Sequence, residues 1–216
     1  MIHMSRQGVV FTGSQADLDR LRQSFERDHF VLLADFLDSA LVSVVLPHVQ
    51  RAEYQSAAYK GIGSELRMAK NPALDVLFFL ANDLRLFGLV QAITGCGHIG
   101  SFEGRIYKLI SHPQHNFDWH DDLRDTSRLI ALSLNLGTEP FRGGFLQIRE
   151  TRPDGITSEI ANTGFGNAVL FQVSSELQHR VTPVEGDVAR TSFAGWFKSA
   201  PDFHSQMKRQ GQSDAT

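Results

Sequence analysis

The chain is predicted to be mainly β with an N-terminal helical layer, its strands forming a double-sheet jelly roll or a related barrel. Three observations lead there. Up to about residue 94, apolar residues recur at spacings of three and four, the period of amphipathic helices. Thirteen of the 18 glycines lie from Gly95 onward, so turn signals crowd into the second half. Between those turns, short β-rich runs recur with little intervening helix, the grammar of an all-β sandwich or barrel.

Ser14 is placed to cap a helix over 15–28, with Leu18, Leu21 and Phe25 on one face. The run Phe30 to Leu33 is too short and too apolar for more helix and reads as a strand. Asp38 opens a second helix through Leu41, Val44, Val45 and Val49, with Pro47 expected to bend it. A third helix is expected from Asn71, with Pro72 in its first turn, to Thr94, where Gly95 supplies the stop. The segment Tyr59–Arg67, with two glycines, reads as a connection. Strands are expected near 102–111, 117–122, 128–136, 143–149, 157–161, 167–173, 178–184 and 190–198. The separators are 137–140, Arg152 to Gly155, and Val184 to Asp187. One domain is expected: 1–97 as helical support with the first strand, 98–198 as the β core, and 199–216 as a polar tail.

Composition narrows the chemistry. The 216 residues carry 21 basic against 24 acidic side chains, which gives no electrostatic case for nucleic acid. A single cysteine, Cys96, excludes an intramolecular disulfide framework and any multi-thiolate metal site. It is most simply a small buried hydrophobe. Nine histidines leave nitrogen–oxygen metal ligation open. No apolar core of a secretory signal follows Met1, and apolar runs such as 77–81 are too short to span a bilayer, so a cytoplasmic protein without membrane contact is expected. The sequence names no oligomeric state.

The segment Phe117–Asp122 is the most informative. Residues i and i+2 of a strand share a face, so His120 and Asp122 project together while Trp119 and Asp121 point away. An imidazole beside a carboxylate makes two thirds of a facial metal triad, and His179 on a late strand could complete it. A His-x-Asp tripeptide alone also arises by chance and marks ordinary surface strands. Eleven residues after His179 comes Arg190, with Ser192 on the same face, a pair suited to gripping a carboxylate.

These pieces together resemble the Fe(II)- and 2-oxoglutarate-dependent oxygenases of the prolyl-4-hydroxylase-like group. His120 with Asp122, His179 with Val181 and Pro183, and Arg190 with Ser192 stand in that family's order. Leu129–Leu136, Gly143–Leu146 and Gly166–Phe171 are similar to its supporting strands. The resemblance covers roughly 98–198, and the helical half more loosely. It implies a double-stranded β-helix with a cupin-like jelly roll, and Fe(II) held by His120, Asp122 and His179. It further implies 2-oxoglutarate and O2 as co-substrates, with ascorbate as an accessory. By position, Arg190 would pair with the distal carboxylate of 2-oxoglutarate, helped by Ser192 and by the Tyr107 phenol. The other seven histidines are assigned to structure or surface.

The second family tyrosine, on the 128–136 strand, is absent, with Leu132 at what reads as its position. Arg128 shares the parity of Ile130, Leu132 and Leu134 and is expected to point inward. Trp196 shares the parity of Arg190, Ser192 and Ala194 and is expected near the metal. The substrate pocket is assigned to Arg128, Trp196, Arg105 and Arg67, with the loops 59–67 and 111–116 at its mouth. The reaction expected is hydroxylation of an aliphatic C–H, with release of succinate and CO2. Its target is a peptidyl prolyl or other protein residue, or else a free amino acid or small metabolite anchored by Arg128 or Arg105. A cupin-like protein that binds metal or ligand without oxygenase chemistry is the alternative of another class; it would have no need of Arg190.

Overall fold

The computed structural model describes residues 1–152, 155, 157–161, 164–205 and 207. The chain opens with a hairpin of β1 (Ile2–Ser5) and β2 (Gly8–Phe11), absent from the sequence reading. Ile2, Met4 and Val9 are its buried apolar side chains. Helix α1 (Gln15–Asp28) begins where expected. The Ser14 side chain accepts from the Asp17 backbone N–H, and the Asp17 carboxylate accepts from the Ser14 N–H, a reciprocal capping box. Strand β3 (Phe30–Leu33) follows, then α2 (Ser39–Arg51), whose first turn donates the Leu41 N–H to Asp38 Oδ1 at 2.9 Å.

Two expectations fail in this half. The segment Tyr59–Arg67 is no mere connection: β4 (Tyr54–Tyr59) and β5 (Gly63–Met68) form a hairpin, and β5 enters the main sheet beside β6 (Ser101–Leu109). The strand escapes an apolar-run search because one of its most buried side chains is Glu65. The stretch from Asn71 to Thr94 is also two helices, α3 (Pro72–Ala81) and α4 (Leu84–Thr94), bent by 58°. Asn82 makes the break. Its side chain donates to the Phe102 carbonyl at 3.1 Å and accepts the Phe102 N–H at 2.8 Å, stitching the helix end to β6. Asp83 then caps α4. The outer ends hold as expected, with Pro72 in the first turn and Gly95 closing the last at φ 67°. Among the described residues, no single helix is long and apolar enough to cross a membrane.

The second half supplies β7 (Phe117–His120), β8 (Arg128–Asn135), β9 (Arg142–Gly143), β10 (Leu146–Glu150), β11 (Thr157–Ile160), β12 (Ala168–Gln172), β13 (Leu177–Val181), β14 (Val184–Glu185) and β15 (Arg190–Lys198). All eight expected strands occur, two of them split in two. The separator at Arg152 to Gly155 lies partly outside the described residues, as does most of the tail beyond 205. The strands pair in the order β11-β10-β13-β7-β5-β6-β15-β8-β12-β3, with β4 on the other flank of β5. Only the pair Gly63–Phe117 joins β5 to β7. At that seam the sheet curls into two facing halves, the double-stranded β-helix expected.

Strand parity sorts the residues into two cores. Phe102, Ile106, Ile130, Leu132, Leu134, Phe193 and Phe197 face the helices and pack with Leu41, Val45, Leu77, Phe87 and Val90. Tyr107, Leu109, Ala131, Val169 and Phe171 face inward, against Phe117, Leu146, Ile148, Leu177 and Val181 of the opposing half. This corrects the reading of β8. Leu132 faces the helices, and the inward position next to it is Ser133. Arg128 therefore has the wrong parity to share a face with Ala131. A shift in register solves this: Trp196 pairs with Ala131 and Phe197 with Ile130, but Lys198 pairs with Arg128. The extra residue, Leu129, returns Arg128 to the inner face.

Candidate active site

His120 and His179 lie directly opposite each other on β7 and β13, with ring centroids 4.2 Å apart. Asp122 joins them by a different route from the one the parity argument assumed. Strand β7 ends at His120, and Asp122 sits beyond it at φ 64°, a left-handed conformation that costs most residues energy but that aspartate tolerates. That turn brings Asp122 Oδ2 to 3.1 Å from His179 Nε2, and Oδ1 to 3.6 Å from His120 Nε2. The three donor atoms all lie within 4.8 Å of one another. Donors on adjacent corners of an octahedron around a first-row ion are about 3 Å apart. The set is two imidazoles and one carboxylate, and it fits a divalent iron.

The groups around the triad hold it in place. His120 Nδ1 lies 2.6 Å from the Asp118 carbonyl, which leaves Nε2 facing the centre. Trp196 Nε1 donates to Asp122 Oδ2 at 2.7 Å, and Arg128 donates to Oδ1 at 3.0 Å. Each carboxylate oxygen thus has its own fixed donor. Burial works against the Asp122 charge, but hydrogen bonding and charge from His179, the charge of His120 and the Trp196 N–H outweigh it, and the carboxyl stays well below its usual range. Burial, then the neighbouring His179, lowers the pKa of His120 and favours the neutral imidazole that a metal requires.

Deeper in the barrel stands Arg190, 3% exposed. It donates to the Tyr107 hydroxyl at 2.8 Å and to the Ser133 hydroxyl at 3.2 Å. No carboxylate among the described residues lies within ion-pair distance of it. A buried guanidinium left without a counter-charge is costly, and such a site is suited to an anionic ligand. Gly144, at φ 60°, keeps the space beside it, since a Cβ there would stand 2.9 Å from Arg190 Cδ. Ser192 is buried opposite Tyr107, but its hydroxyl is not a partner of Arg190. Ser133, which the sequence reading missed, takes that place. Placing the β8 inner face one residue later would have found it.

Two cavities share the walls Arg105, Phe117, His120, Asp122 and Trp196: an inner one of about 60 Å³ that reaches Arg190, and an outer cleft of about 460 Å³. The cleft is also lined by Tyr59, Gly61, Ile62, Trp119, Arg124 and Arg128. Trp196 faces the metal side, as expected, and Arg128 stacks on it at 3.6 Å from the ring centre. Arg105 reaches the cleft held by Glu65. Arg67 does not. Its side chain is 46% exposed, lines neither cavity, and bonds Tyr59 and Glu65 instead. Of the loops expected at the mouth, residues 59–62 contribute and 111–116 do not. Trp119, expected to point away, lines the cleft and lies 4.2 Å from Arg149 and 4.8 Å from Arg180. Cys96 is half-buried at the edge of the helix-side core, and burial raises its thiol pKa.

Comparison with known proteins agrees with this geometry. The model of the 2OG-Fe(II) oxygenase superfamily matches residues 105–198. Nothing among curated proteins matches the chain. Among solved structures, a Pseudomonas putida prolyl-4-hydroxylase is 22% identical with a TM-score of 0.64, over 85% of this chain and all of that one. A Trichoplax adhaerens prolyl hydroxylase, solved with a hypoxia inducible factor peptide fragment, is 15% identical with a TM-score of 0.61, over 87% and 94%. The α-ketoglutarate-dependent epimerase SnoN of nogalamycin biosynthesis is 17% identical with a TM-score of 0.64, over 87% and 85%. At these identities the likenesses bear on the fold. The family match covers the segment that holds the two histidines, the aspartate and the buried arginine, so residues 105–198 are similar to the 2OG-Fe(II) oxygenase superfamily and carry the donor set of a 2-oxoglutarate-dependent non-haem iron dioxygenase.

Proposed function

We propose that the protein is a hydroxylase of aliphatic C–H bonds, with Fe(II) held by His120, Asp122 and His179. In this reading Arg190, Tyr107 and Ser133 receive the distal carboxylate of 2-oxoglutarate. The observation that carries it is the buried Arg190 guanidinium, which has hydroxyl partners but no counter-charge among the described residues and shares a cavity with the triad. A metal-binding protein without keto-acid chemistry would have no use for it. Iron held there would activate O2, the oxidant, of which one atom would go to succinate as CO2 leaves 2-oxoglutarate and the other to the substrate.

The chain's own residues do the positioning. Arg190 orients the co-substrate from its far end, so that the keto-acid end points toward the metal ligands. Trp196 and Arg128 each fix one oxygen of Asp122. Phe117, Phe171, Leu146 and Val181 keep the inner cavity apolar, which limits water around the reacting centre. Two substrate classes use the same site. A peptidyl prolyl residue is favoured by the fold shared with prolyl hydroxylases, one of them solved with a peptide. A free carboxylate-bearing molecule is favoured by the arginines of the outer cleft.

Under anaerobic conditions, Fe(II) plus 2-oxoglutarate should give the charge-transfer absorption of a chelated keto acid, and admitting O2 should release succinate. A screen of proline-containing peptides and small acids, with products weighed for one added oxygen, then identifies the substrate class. Absence of both the band and the succinate would overturn the proposal. Trp196→Phe keeps the ring packing but removes the N–H donor to Asp122. Iron affinity, measured by chelator competition, is expected to fall by about tenfold or more.

A further inference from the structure

The charges of the outer cleft balance as they stand, and a divalent cation at the triad would tip them to positive. Arg105, Arg124 and Arg128 all line it. Glu65 matches Arg105, and Asp121 in the same wall offsets one more charge. The partner of Arg128 is Asp122, and once Asp122 ligates a divalent cation its charge belongs to the metal. Arg128 then faces the cleft without a counter-charge of its own.

The side chain is also held ready for a ligand. Its NH1 donates to the Asp122 carbonyl and to Oδ1, and its plane lies on the Trp196 indole. That fixes the guanidinium while its NH2 stays uncommitted. Nε is sealed from solvent and out of a ligand's reach, which leaves NH2, without a hydrogen-bond partner among the described residues, as the donor that can meet one. A rigid, stacked guanidinium with a spare donor is suited to recognising a carboxylate. Around it, Tyr59, Trp119 and Trp196 supply apolar walls, and about 460 Å³ is room for a small molecule.

We propose that Arg128, assisted by Arg124 at the mouth, binds a carboxylate of the prime substrate, a small acid whose aliphatic body packs against Trp196, Trp119 and Tyr59. The inference rests on the dioxygenase reading and names the substrate class of that site. Because Arg128 touches Asp122, the carbon presented for hydroxylation lies within a few bonds of the carboxylate.

Both tryptophans of the chain line this cleft, so intrinsic fluorescence of the anaerobic Fe(II)–2-oxoglutarate protein reports its occupancy. The probes are N-acetyl-L-proline, N-acetyl-L-leucine and hexanoate, each against its carboxamide, together with a capped pentapeptide carrying one glutamate. At least one acid is expected to bind about tenfold or more tightly than its amide. Arg128→Gln should erase that preference, and Arg128→Lys, which keeps the charge but not the planar fork, should reduce it. Arg124→Gln should weaken acid binding by roughly threefold, with less effect in added salt.

Equal affinity for acid and amide, no fluorescence change with any probe, or an undiminished preference in both Arg128 variants would each overturn the proposal. Tighter binding of the glutamate peptide than of every small acid would move the carboxylate to a peptide side chain and overturn the small-molecule source. The charge-transfer band is recorded for every sample. Its absence from the unmodified protein refutes the dioxygenase reading rather than this one. If Arg128→Gln alone loses the band, Arg128→Lys and Arg124→Gln decide.

Discussion

An Arg190→Met variant is expected to keep its Fe(II) and to bind 2-oxoglutarate about a hundredfold more weakly, a loss of roughly 3 kcal/mol. The reasoning starts from burial. Arg190 is 3% exposed and, among the described residues, bonded only to the hydroxyls of Tyr107 and Ser133. A carboxylate entering this site gains a charge-assisted pair where water screens it least. Methionine fills similar space and leaves no unpaired charge, so the barrel should fold without the guanidinium. The metal ligands stand on β7, in the turn after it, and on β13, whereas Arg190 stands on β15, so iron binding should survive. His179→Ala should do the reverse at the outset and lose the iron. Chelator competition for Fe(II) and a titration of the charge-transfer band with 2-oxoglutarate separate the two losses. Unchanged 2-oxoglutarate affinity in Arg190→Met would refute the assigned role.

How far the sequence revealed this depended on whether local chemistry or distant partners decided each element. Ser14, Asp38 and Gly95 carry their own structural instructions, a cap or a left-handed stop, and their helix ends stand where they were expected. The apolar periodicity from Asn71 to Thr94 runs through Asn82 unbroken. What bends the chain there is a buried amide reaching β6, a contact no local window contains. Asp122 was placed beside His120 by strand parity, yet the strand stops first and a left-handed turn completes the approach. Arg128 reaches the inner face only because one extra residue shifts the register of β8 against β15. The sequence reading named His120, Asp122, His179, Arg190 and Tyr107, which the structure brings together, but put Ser192 where Ser133 stands and Arg67 in a pocket it does not line. The routes by which they converge were illegible, because single-residue shifts leave no mark in composition or spacing.

Glu65 is the clearest case of a residue hidden from sequence reasoning, and its replacement is expected to have the largest effect on stability. A carboxylate in a glycine-containing stretch reads as solvated turn, yet here it is fully buried. Its Oε1 accepts from the Tyr59 hydroxyl at 2.6 Å, from Arg67 Nε at 3.1 Å and from Arg105 Nε at 2.7 Å. Burial works against the Arg105 charge, and the charge and hydrogen bond of Glu65 more than restore it, so the guanidinium pKa is raised. Removing one member of a buried pair strands the other. Glu65→Leu should therefore cost about 3–5 kcal/mol, while Arg67, half exposed, can turn to water. In a domain of this size that lowers Tm by roughly 6–20 °C, measurable by calorimetry. The double variant Glu65→Leu with Arg105→Met removes both charges and should recover most of the loss, since a well-packed apolar pair can replace a buried ion pair. If the double variant is no more stable than Glu65→Leu, the stranded charge of Arg105 is not the cause. Loss of the Tyr59 and Arg67 bonds would then account for the destabilisation.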